Sequence, residues 1–474
     1  MTVISSKLII IHFLIFLIVG YKCYSQIKTD SLGIDTANFA QSTHYTMGKI
    51  LITGNDVTKD EVILREMYIK ENMSFELDDL QDDMTRIYNL GLFSKVNFFP
   101  VPSGENIMNL LIEVEELYYI LPIPVGGFYG GDVKKFWGGI NFRYNNFRGM
   151  NESIGAGFTI GYSPSVFLSY FNPWVGKNSH LFFSGNLSYS VSKNNSILDT
   201  SNGTTIYEDS KVNDFDIENI SASFTIGKYF TKKLSSSIIF GYNYIKPSQN
   251  KPKMTLNDEG IDRFVSFIFD INYDNRNLYE YTTYGTYLKV NYSRFGIFSN
   301  YFNVNKLQMD FRKYILLNPF KKFEFTYAFR VLSALTFGGN IPSYQKETIG
   351  SYDYLRGWKN FIMQGDNKIY IVNELRIPII KPDYLSGKSI PIIKGISLLN
   401  RFSYKYGLYL TFFSDMGSVW NKNDDFYKIN FLNSIGSGIN LILPFSFVSR
   451  FELAYRIVES KLIPQFNLNL YSSF

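Results

Sequence analysis

The sequence is most informative in what it has little of. Of 474 residues, 19% are charged, three are histidine and one is cysteine. Soluble domains carry about 25% charged residues, so charge is scarce. With Cys23 as the single cysteine, no intrachain disulfide can form. His44 and His180 stand far from any second ligand at a metal spacing, so neither marks a metal site. No G-x-S-x-G elbow occurs. Ser386-Gly387-Lys388-Ser389 copies the end of a phosphate-binding loop, but Pro382 stands where its first glycine belongs. No catalytic group and no cofactor is expected, so an enzyme is not. A net charge of +5 without a basic run gives nucleic acid no footprint. The run Leu8–Gly20 is too short to cross a hydrocarbon core of about 30 Å.

That run, preceded by Lys7 and followed by Cys23-Tyr24-Ser25-Gln26, suits the core of a secretory leader, with residues 1–25 removed after Ser25. Lipidation at Cys23 is the competing reading, and the bulky Tyr21-Lys22 before it disfavour it. Aromatic residues are plentiful, 18% of the chain with 36 Tyr and 43 Phe, and mean hydropathy is −0.07. Rings gather where one end is dry and the other wet. Near-neutral hydropathy with so many rings points to strands that are apolar on one face and polar on the other.

Residues 26–43 read as a polar linker, and 44–117 as a small α+β module. Lys49–Thr53 is a short strand closed by Gly54-Asn55. Thr58, with Glu61 three residues on, has the spacing of a capping box. Leu77, Leu80, Met84, Ile87 and Tyr88 share one helical face, which Gly91 ends. Two strands follow near 96–99 and 110–115, giving the order β-α-α-β-β.

From 118 to 474 the period becomes two. In Lys322–Val331, Phe323, Phe325, Tyr327, Phe329 and Val331 alternate with Lys322, Glu324, Thr326, Ala328 and Arg330. A soluble sandwich would turn the polar face to water, whereas a membrane barrel turns it to the lumen. The leader, the ring content and the terminal Phe474 favour the barrel. Strands are expected near 119–128, 137–147, 152–161, 165–172, 180–190, 218–228, 234–244, 263–274, 284–297, 301–315, 321–333, 369–380, 405–414, 434–443, 448–456 and 464–474. These make a sixteen-stranded, closed antiparallel transmembrane β-barrel, mainly β, with long insertions 191–217, 245–262 and 334–368 on the outer side. The stretch 381–404 is a long inner connection without an evident purpose.

The strongest constellation is ionic. Parity turns Glu374 and Arg376 inward on one strand and Asp415 inward on the next. The insertion before them holds Leu355-Arg356-Gly357-Trp358, in which an arginine fork can pair with both carboxylates. Gly357 permits a tight tip, and Leu355 and Trp358 pack it. Arg450, Glu452 and Arg456 join Arg376 in a lumenal charge network.

Two resemblances follow from these residues. Gly54-Asn55 and Tyr88-Asn89-Leu90-Gly91-Leu92-Phe93, in that order of elements, resemble a POTRA domain. Leu355–Trp358, Asn373–Pro378, Phe413–Trp420, Asp274-Asn275-Arg276 with Tyr284–Tyr287, and Ser434–Gly438 resemble five signatures of the Omp85 superfamily (the BamA/TamA, surface-antigen D15 type). The resemblance covers residues 44–474. It implies an outer-membrane protein, with its N-terminal domain in the periplasm, that assembles barrel proteins or translocates polypeptides. It also implies that Arg356 pairs with Glu374 and Asp415. Implied partners are the lipid bilayer, unfolded barrel or secreted polypeptide clients, and periplasmic chaperones or accessory lipoproteins. A dedicated secretion pore and a structural or adhesive surface barrel remain alternatives. The single POTRA module, and a last strand 465–474 without glycine, depart from the insertase pattern.

Overall fold

The computed structural model describes residues 44–471 except 129–135, 177–178, 195–205, 209–214, 249–253, 321–322, 351–352, 354, 360, 392–402, 426–428, 444–446 and 460. The expected leader, linker and terminal Phe474 lie outside the described residues.

The N-terminal module consists of β1 (Tyr45–Thr53), α1 (Asp60–Leu64), β2 (Ser74–Phe75), α2 (Leu77–Asn89), β3 (Phe93–Gly104) and β4 (Ile107–Glu116). The two-residue β2 is the one element added to the expected order. The sheet runs β2-β1-β4-β3, and β1 pairs parallel to β4. Leu80, Met84 and Ile87 of α2 are fully buried against Met47, Phe98 and Ile112, as the helical spacing requires. The capping box expected at Thr58 is absent. Lys59 precedes α1 without a side-chain bond. The Thr58 hydroxyl instead donates to Glu116 (2.5 Å) and accepts from Asn146 Nδ2 (2.8 Å), so a contact to the barrel rim has claimed it. The capping box sits on α2, between Glu76 and Asp79.

The barrel opens with β5 (Ile120–Phe128), β6 (Phe136–Phe147), β7 (Glu152–Gly161), β8 (Ser165–Val175), β9 (Leu181–Asn194), β11 (Phe215–Tyr229), β12 (Leu234–Pro247) and β13 (Asp262–Asp274). It continues with β14 (Gly285–Ile297), β15 (Val304–Phe320), β16 (Phe323–Gly338), β19 (Asn367–Ser386), β20 (Ser403–Trp420), β21 (Leu432–Leu443), β22 (Phe447–Val458) and β23 (Lys461–Tyr471). All neighbours pair antiparallel in chain order, so each of the sixteen expected strands is present. Ile160, Leu187, Phe224, Phe240 and Phe412 are exposed on the outer face, where lipid covers them. Inward residues of β19 such as Val372, Glu374 and Arg376 are buried. Three short strands, β10 (Ile206–Glu208), β17 (Glu347–Ile349) and β18 (Phe361–Gly365), form a small sheet from two outer loops.

Of the stretch 381–404, residues 392–402 lie outside the described residues, and the rest largely extends two strands. β19 and β20 run on as a hairpin past their neighbours, paired as far as Leu385↔Tyr404 and Ser386↔Ser403. The ladder shifts register between Pro378 and Ile380 and again between Ile380 and Asp383, so Pro382 sits in a bulge that spares its missing donor.

β5 and β23 are the two ends of the sheet, and no pairing joins them among the described residues. Proline gives the physical reason. Asn145 N–H donates to Tyr119 C=O, so odd residues of this stretch face β6 and even ones face the seam. Pro122 and Pro124 therefore remove two donors from the seam edge of β5, and proline within a sheet belongs on such edges. β23 carries Pro464. Replacing Pro122 and Pro124 with threonine should let the seam zip further. The expected result is slower amide exchange in β23 and a higher unfolding temperature. Unchanged exchange would contradict the edge assignment.

Candidate functional site: a buried arginine inside the barrel

Period two decides which side chains this wall offers. Register sets Arg376, Thr411, Gly438, Glu452 and Asn467 side by side across β19 to β23. The next inward row runs Glu374, Phe413, Gly436, Ala454. The two glycines clear a hollow. A Cβ on Gly436 would lie 2.5 Å from the Phe413 ring, and one on Gly438 would lie 3.0 Å from Glu452 Cγ.

The connection between β16 and β19 enters that hollow. Arg356 begins a single 3-10 turn, Arg356–Trp358, and is 5% exposed. Its Nε donates to Asp415 Oδ2 at 2.8 Å and its Nη2 to Asp415 Oδ1 at 2.5 Å, a bidentate fork. Its backbone N–H adds a third bond to Asp415 Oδ2 at 3.1 Å. Nη1 reaches Glu374 Oε2 at 2.6 Å and Glu452 Oε1 at 3.3 Å. The guanidinium carbon lies 3.5 Å from the centre of the Phe413 ring.

The tip itself is fitted to the wall. A Cβ on Gly357 would lie 2.7 Å from Ser434 Cβ and 2.8 Å from the Arg456 nitrogen, so only glycine fits without displacement. Leu355 is buried with Ile349, Met363, Tyr370, Val372 and Val419. Trp358 Nε1 donates to Asn433 C=O at 3.0 Å. The carbonyl of Arg356 accepts from Asn467 Nδ2 at 2.8 Å, which ties the loop to the last strand.

The structure thus brings together Leu355, Arg356, Gly357, Trp358, Glu374 and Asp415. In the wider network, Arg376 Nε donates to Glu374 Oε1 at 2.7 Å, and Arg450 lies 3.9 Å from Glu374. Glu452 belongs to the arginine centre itself. Arg456 stands apart, with its guanidinium over the Phe361 and Trp358 rings at 4.5 and 5.7 Å. Phe413, Asn467 and the glycine hollow were not anticipated as parts of the site. A second ionic set, Lys306 and Lys368 about Glu347 with Asp353 beside Lys368, fastens the same loop higher up.

Below the barrel the N-terminal module meets the rim. Lys59 N–H donates to Gly149 C=O at 3.0 Å. Arg65 lies 5.4 Å from the Trp174 ring. In this contact burial pushes the Glu66 carboxyl up, against the pull of Arg65 and Lys232. Burial, with Arg86 beside it, brings the Lys232 ammonium down to about 7, against the pull of Glu66.

Comparison with known proteins matches this architecture. An Omp85 superfamily domain covers residues 146–474, and a POTRA domain, described as a surface antigen variable number repeat, covers residues 45–117. The chain belongs to the Omp85 superfamily. It is an outer-membrane β-barrel protein with an N-terminal POTRA domain. The outer membrane protein assembly factor BamA of Neorickettsia risticii is 34% identical over 124 residues, 25% of this chain and 16% of that relative. The POTRA-truncated BamA of Haemophilus ducreyi, lacking domains 1–3, superposes with a TM-score of 0.52 at 19% identity, covering 90% of this chain and 85% of that one. CdiB of Escherichia coli gives 0.56 at 13% identity, covering 90% and 75%. At those identities the two structures share its fold.

In this Omp85 protein the bonds of the centre rank its side chains. Asp415→Asn should lower the unfolding temperature of the folded barrel more than Glu452→Gln does, because Asp415 takes three bonds and Glu452 one longer one. Gly357→Ala should destabilise as well, through overlap with the wall. Heat-dependent electrophoretic migration measures all three, and equal effects of Asp415→Asn and Glu452→Gln would contradict the ranking.

Proposed function

We propose that this protein receives unfolded polypeptides at its POTRA domain and inserts them into, or passes them across, the outer membrane. The observation that carries this reading is the arginine centre beside a seam that no pairing joins among the described residues. Arg356 secures the outer loop against β19 to β22, and Asn467 ties it to β23, while among the described residues β5 pairs with β6 alone. Such a barrel holds one seam edge firmly and leaves the other able to take up a client strand. In this role Arg356, Glu374, Asp415 and Glu452 form a latch, and Leu355, Gly357 and Trp358 seat it. No step of the work needs a catalytic group.

The POTRA sheet supports client capture. β2 covers β1 at Tyr45 and Thr46, residues 72–73 bond to Met47, and Glu71 takes Ile50 N–H, which leaves the Leu51–Thr53 end of this edge to an added strand. A dedicated secretion pore would share this architecture and differ in clientele.

Proteoliposomes holding the purified protein decide the insertase reading. An unfolded outer-membrane barrel should fold into them faster than into empty liposomes, and the gain should vanish when a disulfide joins β5 to β23. Equal rates with and without the protein would contradict insertion. Retained activity in the locked barrel would move the route into the lumen.

A further inference from the structure

The connection between β13 and β14, residues 275–284, turns inward from the periplasmic rim. Tyr281 is 1% exposed and packs on Tyr409, with ring centres 4.5 Å apart, and on Ile442 and Val448 of the opposite wall. Its hydroxyl accepts a bond from Asn440 Nδ2 at 2.9 Å. The next residue, Thr282, is fully buried, and its carbonyl accepts from Arg376 Nη1 at 3.0 Å. The Arg376 guanidinium also lies 4.5 Å from the Tyr281 ring. From there Arg376 Nε holds Glu374 Oε1, and Glu374 Oε2 receives Arg356. Two side chains therefore separate this segment's backbone from Arg356.

The same segment is gripped from the other side by the POTRA domain. Asn89, the last residue of α2, donates through Nδ2 to Asn277 C=O at 2.7 Å and accepts from Tyr279 N–H at 3.4 Å. Glu280 pairs with Lys405 of β20, and the Lys405 ammonium lies 4.8 Å from the Tyr88 ring. The segment is stiff within itself. Asn277 Oδ1 accepts from the backbone N–H of Thr283 and Tyr284 at 3.0 and 3.2 Å, and Thr282 Oγ1 donates to Leu278 C=O at 2.7 Å. A turn tied up in this way moves as one body, so a shift at Asn277 reaches Tyr281 and Thr282.

We propose that residues 275–284 form a strap coupling the position of the POTRA domain to the arginine centre, with Tyr281 and Arg376 as positioning residues that hold Glu374 on Arg356. With the POTRA domain docked, Asn89 keeps the strap seated and Thr282 C=O fixes Arg376. When a client draws the POTRA domain from the rim, Tyr281 loses its support, Arg376 turns, and Glu374 releases Nη1 of Arg356. The coupling crosses the membrane through packed groups, in one direction by docking and in the other by latching, as linkage requires. The proposal rests on the reading of Arg356 as the latch of the outer loop.

The test reads the outer loop while changing the periplasmic side. Trypsin is added outside intact cells, and cleavage after Lys346 or Lys359 in loop 334–368 is timed. Arg356→Ala should speed cleavage and is the arm that tests the latch. Asn89→Ala and Tyr281→Ala should each speed it about fivefold or more, the change expected when local opening becomes easier by one such contact. The double variant should be no faster than the quicker single one. Tyr281→Phe keeps the ring and loses only the acceptor for Asn440, so it should lie between wild type and Tyr281→Ala. Heat-dependent migration confirms a folded barrel in each case, and Asn89→Ala alone suffices if Tyr281→Ala does not fold. Joining Asn89→Cys to Tyr279→Cys by a disulfide, with Cys23→Ser, should restore slow cleavage. If Arg356→Ala speeds cleavage while Asn89→Ala stays at the wild-type rate, the strap is wrong and the latch stands. If Arg356→Ala itself changes nothing, the latch and the strap fall together. Additive effects of Asn89→Ala and Tyr281→Ala would also overturn the coupling.

Discussion

A guanidinium keeps its charge however deeply it is buried, and burying one without compensation is prohibitive. Arg356 therefore dictates much of what surrounds it. Three carboxylates reach it from three strands, Glu374 on β19, Asp415 on β20 and Glu452 on β22. Those carboxylates are buried too, and Arg376 and Arg450 balance them, so three cations meet three anions and the set is neutral. The set exists only if the strands hold register and the loop folds inward. Residues Gly436 and Gly438 must also leave the hollow open, and Gly357 must let the loop approach. Without any one of these, charge is left stranded in a dry interior.

Such a centre makes the barrel asymmetric. The wall from β19 to β23 is backed by the inserted loop, and Asn467 carries that backing to the last strand. At the other end, among the described residues, β5 is joined by its ladder to β6 alone, and its seam edge lacks the donors of two prolines. One edge is stiff and the other weakly held, the arrangement expected of a wall that opens at one place. The POTRA domain reaches across the rim, bonding through Lys59 to the β6–β7 turn and meeting the β19–β20 hairpin where Tyr88 lies by Lys405.

How much was legible follows from the range of each signal. Alternation along one strand showed that Glu374, Arg376 and Asp415 face inward, because a strand's period is a local property. It could not show that Glu452 touches Arg356, since that depends on the register of β22 against β21, where Glu452 stands opposite Gly438. The Thr58 capping box failed for the same reason: a distant glutamate and the barrel rim offered its hydroxyl better partners. Tyr281 carries no periodic mark at all. It lies in a polar turn whose inward fold depends on the opposite wall. Pro122, Pro124 and Pro464 were a readable sign of edge strands, and the even strand count obscured it by promising closure.

The central claim is that Arg356 and its carboxylates act as one energetic unit. A double-mutant cycle on Arg356→Ala and Asp415→Ala, read from the unfolding free energy of the barrel in bilayers, tests it most directly. The two losses should be strongly non-additive, with a coupling of about 2 kcal/mol or more, as expected for groups within one buried ion-pair network. A coupling near zero would mean that the loop is held by packing alone.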